Sequence, residues 1–105
     1  MGLDSVYGAL AHEIRRELVR EVAPRPSRVT DLAARFPVSL AAVSKHIQVL
    51  EGAGLVRREV RGRDHFLSLE ATPLAGAAEW LASYRRFWEE RVDLLEKRIL
   101  ESRQL

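Results

Sequence analysis

The chain of 105 residues contains no cysteine. Disulfide bonds, thiolate metal ligands and a cysteine nucleophile are therefore excluded. It also lacks an apolar run long enough to span a membrane, and Met1–Ser5 shows neither the basic nor the apolar region of a signal peptide. We therefore expect one cytoplasmic domain with no membrane partner.

Histidine is scarce, and its three copies are scattered. His12, His46 and His65 fall in three different predicted elements, and residues 73–105 contain no histidine. Without pairs three or four residues apart on a helix, these side chains do not form the pattern of a metal site. We expect no metal and no cofactor. His12 is interpreted as a polar residue at a helix start, and His65 as a strand residue.

Positive charge is the only charge in excess, and it is local. The net charge is +2 and the isoelectric point is about 9.5. Residues 1–26 and 71–105 each balance their cationic and acidic side chains, whereas residues 27–65 carry seven cationic side chains against four acidic ones. The seven are Arg28, Arg35, Lys45, Arg57, Arg58, Arg61 and Arg63. This distribution favours a polyanionic partner for that segment.

Apolar periodicity and capping residues predict a mainly α fold of five helices with a small β-hairpin. The capping residues expected at helix starts are Asp4 or Ser5, Thr30, Ser39 and Thr72, the last followed by Pro73. The predicted helices are 4–11, 12–22, 31–36, 40–53 and 73–101, the predicted hairpin strands are 55–60 and 65–69, and a strand stub is expected at 28–29.

The fourth predicted helix has two contrasting faces. Its buried stripe is predicted to be Leu40, Val43, Ile47 and Leu50, at spacings of three and four. The opposite face holds Ala41, Ala42, Lys45 and Gln48, flanked by Ser44 and His46. Short uncharged side chains on an exposed face suit a helix whose backbone closely approaches a groove wall. His46 suits either a partly buried packing role or a DNA contact, and its neighbours favour the contact.

The hairpin after this helix is basic. Taken alone, its arginines fit equally well a solvated edge strand that uses charge to prevent aggregation. Because the hairpin follows a candidate recognition helix, we interpret it as a wing. Arg61 and Arg63 would then lie at its tip, near phosphates or the minor groove.

The last predicted helix has an apolar band that is too wide for its own domain to cover. Leu81, Tyr84, Trp88, Val92 and Leu95 follow the alternating steps of a helix pair, and Trp80, Phe87 and Leu94 add a flanking row. A second copy of the helix is the simplest cover. We therefore expect a homodimer whose interface comprises Val6, Tyr7, Leu81, Tyr84, Trp88, Val92 and Leu95. Packing is favoured over a small-molecule pocket among the aromatic residues.

Three motifs resemble the ArsR/SmtB family of winged-helix repressors. Residues 9–18 (ALAHEIRREL) resemble its opening motif, residues 39–56 (SLAAVSKHIQVLEGAGLV) its recognition helix and exit turn, and residues 62–65 (GRDH) its wing. Residues 84–91 (YRRFWEER) are similar to a metal-independent branch that includes autorepressors. The resemblance implies a homodimer pairing its first and last helices on an inverted-repeat operator. Many relatives carry a cysteine pair where this chain has Val29–Leu32.

Together these patterns predict a single winged helix-turn-helix domain over 1–105, with the helix-turn-helix at 30–53, the wing at 55–70 and dimerisation helices at 4–11 and 73–101. It would be a repressor that binds double-stranded DNA, with no metal site and an unknown small-molecule effector. The predicted DNA-binding residues are Arg28, Ser39, Ala42, Ser44, Lys45, His46, Gln48, Arg57, Arg61 and Arg63.

Two alternatives remain open at this point. One is a winged-helix module that binds another protein, and the other is a repressor that responds to a small organic ligand at the dimer interface. An enzyme is disfavoured and no catalytic residue is assigned. The neighbouring Ser44, Lys45 and His46 point about 100° apart on a helix and cannot converge on one substrate atom.

Overall fold

The computed structural model describes residues 2–103. It contains five helices and a small three-stranded antiparallel sheet, which confirms the predicted winged helix-turn-helix fold. The elements along the chain are α1 Leu3–Leu10, α2 Glu13–Val22, β1 Ser27–Arg28, α3 Val29–Ala33, α4 Leu40–Gly52, β2 Val56–Arg61, β3 Asp64–Leu69 and α5 Thr72–Arg103. Within residues 2–103, no helix is long and apolar enough to cross a membrane.

The helix starts agree with the capping pattern only in part. Ser39 caps α4, because its Oγ accepts a hydrogen bond from the backbone N–H of Ala42 at 3.1 Å. The cap predicted at Asp4 or Ser5 is wrong: α1 begins at Leu3 after Gly2, and no side chain caps it. The cap predicted at Thr30 is also wrong, since α3 begins at Val29 and ends at Ala33.

The sheet has the strand order β1-β3-β2. Its central strand β3 pairs with β2 from Val56 opposite Leu69 to Arg61 opposite Asp64, and with β1 through Ser27 opposite Leu67. Gly62 has a φ of +63°, a left-handed conformation that glycine adopts at no steric cost in a two-residue hairpin turn. We refer to β2, β3 and this turn as the wing.

The core lies between the helices and the inner face of the sheet. Its largest fully buried side chains are Leu18, Val22, Leu32, Val43, Ile47, Leu50, Leu55 and Leu67. The stripe predicted on α4 is confirmed for Val43, Ile47 and Leu50. It is wrong for Leu40, which stays 52% exposed because it starts the helix beside the wing, outside the core.

Helix α5 packs on the rest of the chain only at its beginning. Ala77 is buried, and the hydroxyl of Tyr7 on α1 donates a hydrogen bond to its carbonyl oxygen at 3.3 Å. From Trp80 to Arg103 every residue is exposed. The helix therefore projects from a molecule whose principal extents are 75 × 27 × 22 Å.

Candidate nucleic-acid interface

The exposed face of α4 carries mostly small side chains and no acidic ones. Ala41, Lys45 and Gln48 are exposed, while Ala42 and Ser44 are half-buried. No Asp or Glu occurs from Leu40 to Leu50. The buried Val43, Ile47 and Leu50 fix the opposite side of the helix in the core, so the Lys45 and Gln48 side is turned outward.

The exit from α4 directs the chain into the wing. Gly54 has a φ of +72°, which lets the chain reverse after the helix without steric strain. The N–H of Leu55 then donates to the carbonyl of Leu50 at 3.0 Å, and the N–H of Glu70 donates to the carbonyl of Leu55 at 2.8 Å. These bonds fix the base of the wing against the end of the helix.

Helix α4 and the wing face each other across an open cleft of about 180 Å³. The helix contributes Leu40 and Ser44, and the wing contributes Arg63 at its tip. The cleft is completed by Arg28, Val29 and Thr30 at the start of α3 and by Arg58, Asp64 and His65 of the wing. The structure thus brings predicted residues from three elements to one surface.

Three of the predicted arginines are paired with carboxylates in this structure. Arg57 lies 3.4 Å from Glu70, and Arg28 lies 3.5 Å from Asp64. Across residues 2–103, no carboxylate lies within ion-pair distance of Arg63 or Lys45.

The third pair, at the end of β2, joins Arg61 to Glu59 at 3.1 Å. The hydrogen bond and charge of Arg61 hold the pKa of the Glu59 carboxyl below its usual value, and the same bond raises the pKa of Arg61. The Arg61 guanidinium also lies 4.8 Å from the ring centre of Phe66, and that of Arg28 lies 5.9 Å from it.

Arg58 links the wing to α4, a contact that the sequence pattern does not assign to it. Its Nη2 donates to the Glu51 carboxylate at 2.8 Å, and its Nη1 lies 3.2 Å from Nδ1 of His65. Because neighbouring strand residues point to opposite faces, the alternation of Arg57 and Arg58 could have indicated that one of them faces α4.

His46 faces α2. Its ring centre lies 4.3 Å from that of His12, and Nη1 of Arg15 lies 3.2 Å from its Nδ1. Partial burial, followed by the charges of His12 and Arg15, lowers the pKa of His46 below its ordinary value of 6.5. The structure therefore places His46 in the partly buried packing environment that the sequence left open. His12 caps α2 and His65 lies on β3, as interpreted from the sequence.

The predicted dimer-interface residues divide into two groups. Val6 is only 2% exposed, so it belongs to the core of the domain and has almost no surface left for a partner. Tyr7 is half-buried and packs edge-on against Trp80, with ring centres 6.2 Å apart. The others are about half exposed on one side of α5: Leu81, Tyr84, Trp88, Val92 and Leu95.

Metal ligands do not converge in the described part of the chain. Between Gly2 and Arg103, no group of three or more His, Cys, Asp or Glu side chains could hold a metal ion. The neighbouring rings of His12 and His46 lie beside the cationic Arg15, which disfavours a bound cation.

Comparison with known proteins agrees with this geometry. A family described as a helix-turn-helix domain matches residues 10–59. The crystal structure of the ArsR family transcriptional regulator RHA00566 superposes with a TM-score of 0.77 and 32% sequence identity, covering 83% of this chain and 96% of that one. This chain belongs to the ArsR family of winged helix-turn-helix transcriptional regulators.

Two curated relatives extend the comparison. The HTH-type transcriptional regulator Rv2034 of Mycobacterium tuberculosis is 39% identical over 85 residues, which cover 81% of this chain and 77% of that protein. The transcriptional repressor SdpR of Bacillus subtilis is 22% identical over 82 residues, which cover 78% of this chain and 91% of that protein. As a member of the ArsR family, the protein is a transcriptional regulator and not an enzyme.

Proposed function

We propose that this ArsR-family protein is a repressor that binds an inverted-repeat operator as a homodimer, through one DNA-binding domain in each protomer and without sensing a metal. The observation that carries the proposal is the cleft between α4 and the wing. Ser44 of the helix and Arg63 of the wing tip border it together, so a helix with a small exposed face and a cationic hairpin share one surface.

On this surface the helix and the wing have different tasks. Helix α4 enters the major groove, where Ser44, Lys45 and Gln48 reach base edges while Ala42 permits close approach. The remaining contacts hold phosphates and set the register of the protein on the duplex. They come from Ser39, Arg28, Arg57, Arg61 and Arg63.

The apolar side of α5 supports a homodimer. Trp80 and Trp88 are each 49% exposed, and Tyr84 between them is 48% exposed. An uncovered apolar band along most of a 32-residue helix indicates an interaction surface. A second copy of the same helix would cover it by a symmetric pairing. Two recognition helices related by a two-fold axis read half-sites about 10 bp apart, or a multiple of this.

Repression and metal independence are supported by separate observations. The relative SdpR is a transcriptional repressor, and a bound dimer can repress simply by occupying promoter DNA. The segment Val29–Leu32 carries none of the thiolates that form a sensor site in metal-responsive relatives.

DNA-binding measurements test the proposal. Fluorescence anisotropy would measure the affinity for the DNA upstream of the protein's own gene and for a mixed-sequence duplex, over a salt series. The double variant Arg61→Ala/Arg63→Ala should bind both duplexes more weakly, and the slope of log affinity against log salt should flatten by up to about two units.

A charge-matched control separates the wing from net charge. Arg86→Ala/Lys97→Ala also removes two cationic side chains, but from the exposed α5, and should retain the wild-type slope. If the wing variant kept full affinity at every salt concentration, the wing assignment would be wrong. If the wild-type protein bound neither duplex, even at low salt, the alternative of a protein-binding module would replace DNA binding.

A further inference from the structure

The guanidinium of Arg15 contacts two other helices. From α2, its Nε donates to the carbonyl of Ala9 at 2.6 Å and its Nη2 to the carbonyl of Gly8 at 3.1 Å. These carbonyls belong to the last turn of α1, whose carbonyls have few partners within the helix; that of Gly8 also accepts the N–H of Ala11 at 3.3 Å. The third nitrogen, Nη1, lies 3.2 Å from Nδ1 of His46 on α4. Arg15 thus joins the end of α1 to the middle of the recognition helix.

This contact requires a neutral His46. A guanidinium can only donate, so Nδ1 of His46 must accept and the ring hydrogen must lie on Nε2. The ring of His12, whose centre lies 4.3 Å from that of His46, also accepts a hydrogen bond through Nδ1, from the N–H of Ile14 at 3.1 Å. Protonation of His46 would place an N–H against the guanidinium of Arg15 and a cation beside it.

The charged and titratable groups that face His46 come from α2 and its N-cap. They are Arg15 and His12, and a positive charge on either opposes one on the His46 ring. Helix α1 contributes backbone carbonyls to the cluster. The charged side chains of the other elements packed on α4 do not face His46. Arg58 of β2 pairs with Glu51 at the end of α4, and Asp31 of α3 borders a separate pocket that is also lined by Arg25.

We infer that Arg15 is a positioning residue for operator recognition, which ties α4 to the end of α1 through the neutral His46 and releases it on acidification. The inference rests on the proposed function. Helix α1 also packs on α5, where the Tyr7 hydroxyl bonds to the Ala77 carbonyl. The tie therefore connects the recognition helix to the side of the protomer on which the second copy is proposed to dock.

Losing this tie has a distinct consequence for binding. An operator requires both recognition helices of the dimer to meet their half-sites at a fixed spacing, whereas binding to mixed sequence depends mainly on phosphate charge. A less constrained α4 should therefore lower the affinity for the operator more than that for mixed-sequence DNA. General unfolding would lower both affinities together.

The first test compares Arg15→Met with Arg16→Met. Arg16 is the neighbouring arginine on α2 and also donates to an α1 carbonyl, that of Leu10 at 2.8 Å, but among residues 2–103 no hydrogen bond joins it to α4. The probes are a duplex selected by the wild-type protein from a random pool and a mixed-sequence duplex of equal length. Arg15→Met should lose about tenfold in the affinity ratio of the two duplexes. Arg16→Met should change this ratio by less than about twofold.

The second test uses His46→Gln, whose amide oxygen can accept from Arg15 but does not titrate. It should bind the selected duplex as well as the wild type at about pH 7.5 and keep that affinity as the pH is lowered below the ordinary histidine pKa of about 6.5. The wild type should lose affinity once the His46 ring is protonated. Without DNA, the NMR titration of the His46 ring should move to a higher pKa in Arg15→Met, because a neighbouring cation is gone.

The possible outcomes distinguish a failure of the proposed function from a failure of the positioning role of Arg15. A wild-type protein that bound no duplex would overturn the proposed function and the positioning role with it. If the wild type bound the selected duplex but Arg15→Met left the affinity ratio unchanged, or Arg16→Met lowered it equally, only the positioning role would be overturned. Equal acid sensitivity of the wild type and His46→Gln would refute the release on acidification.

Discussion

Nη2 of Arg58 lies 2.8 Å from Oε1 of Glu51, and this ion pair joins the first strand of the wing to the last turn of the recognition helix. Both side chains are mostly buried: 26% of the Arg58 surface and 33% of the Glu51 surface are exposed. Arg58 also reaches Nδ1 of His65 on the second strand. One side chain thus contacts α4 and both wing strands, and it adds a charged side-chain link to the backbone hydrogen bonds that hold the wing against the helix.

Replacing Arg58 by methionine should lower the free energy of unfolding by about 1 kcal/mol, because a partly buried carboxylate loses its charged donor. Urea unfolding followed by circular dichroism measures the change. Arg57→Met is the matched control: its ion pair with Glu70 is longer, at 3.4 Å, and its side chain is 72% exposed. It should cost less than about 0.5 kcal/mol. Equal losses for both variants would contradict the special role of Arg58.

Glu59→Gln should strengthen binding to every DNA sequence, since Arg61 would no longer be paired with a carboxylate that competes with phosphate. We expect about two- to threefold at low salt, with the gain vanishing at high salt. The hydrogen bond from Arg61 lowers the pKa of Glu59, so the pair persists throughout the neutral pH range. Glu79→Gln makes the same charge change on α5 and should leave binding unaltered. A gain confined to one sequence would argue against phosphate competition.

Gln48→Ala should cost about 1–3 kcal/mol of operator binding and relax the preference at one base position. The side chain is exposed on the outward face of α4, where its amide can both donate and accept. Binding selection from a randomised operator, followed by affinity measurement, reads out both effects. Val49→Ala, at the next residue, truncates an exposed apolar side chain and should leave base preference unchanged. Retained preference at all positions in Gln48→Ala would remove this residue from base readout.

The stability of the protein should fall on mild acidification. The folded state lowers the pKa of His46 below 6.5, so at pH values between the folded and unfolded pKa the unfolded chain binds more protons. The contribution of His46 to the free energy of unfolding is therefore fully present above about pH 6.5 and is lost as the pH falls to the folded pKa. Below the folded pKa it does not change further. Urea midpoints measured across this range should show a smaller decrease in His46→Gln than in the wild type. An equal decrease would assign the effect to other groups.

Local sequence patterns predicted what is determined locally. Spacings of three and four identified Val43, Ile47 and Leu50 as buried, and Ser39 was correctly expected to cap α4. The same reasoning failed for Leu40, because a helix-periodic residue in the first turn is buried only if another element covers it. Here the neighbouring wing leaves an open cleft instead.

Contacts between distant segments were not predictable in this way. His12 and His46 are separated by 34 positions, and the pattern of neither helix predicts that their rings are in contact. Their contact depends on how α2 packs across α4, which follows from the tertiary arrangement of the core. The same holds for the three-way contact of Arg15, since an arginine among polar helix residues has the pattern of a solvated side chain.

The oligomeric state depends on the apolar side of α5. Trp88 lies 49% exposed in the middle of the band that we propose a second copy covers, so Trp88→Arg would bury unpaired charge in the interface and should yield monomers. Glu90→Arg introduces the same side chain on the opposite face of the helix and should leave a dimer. Sedimentation velocity distinguishes the two states directly. Because a monomer presents only one recognition helix, Trp88→Arg should also lose most operator affinity while binding mixed-sequence DNA nearly as before. If both variants sedimented as dimers, the interface would lie elsewhere, and the aromatic side of α5 would need another occupant.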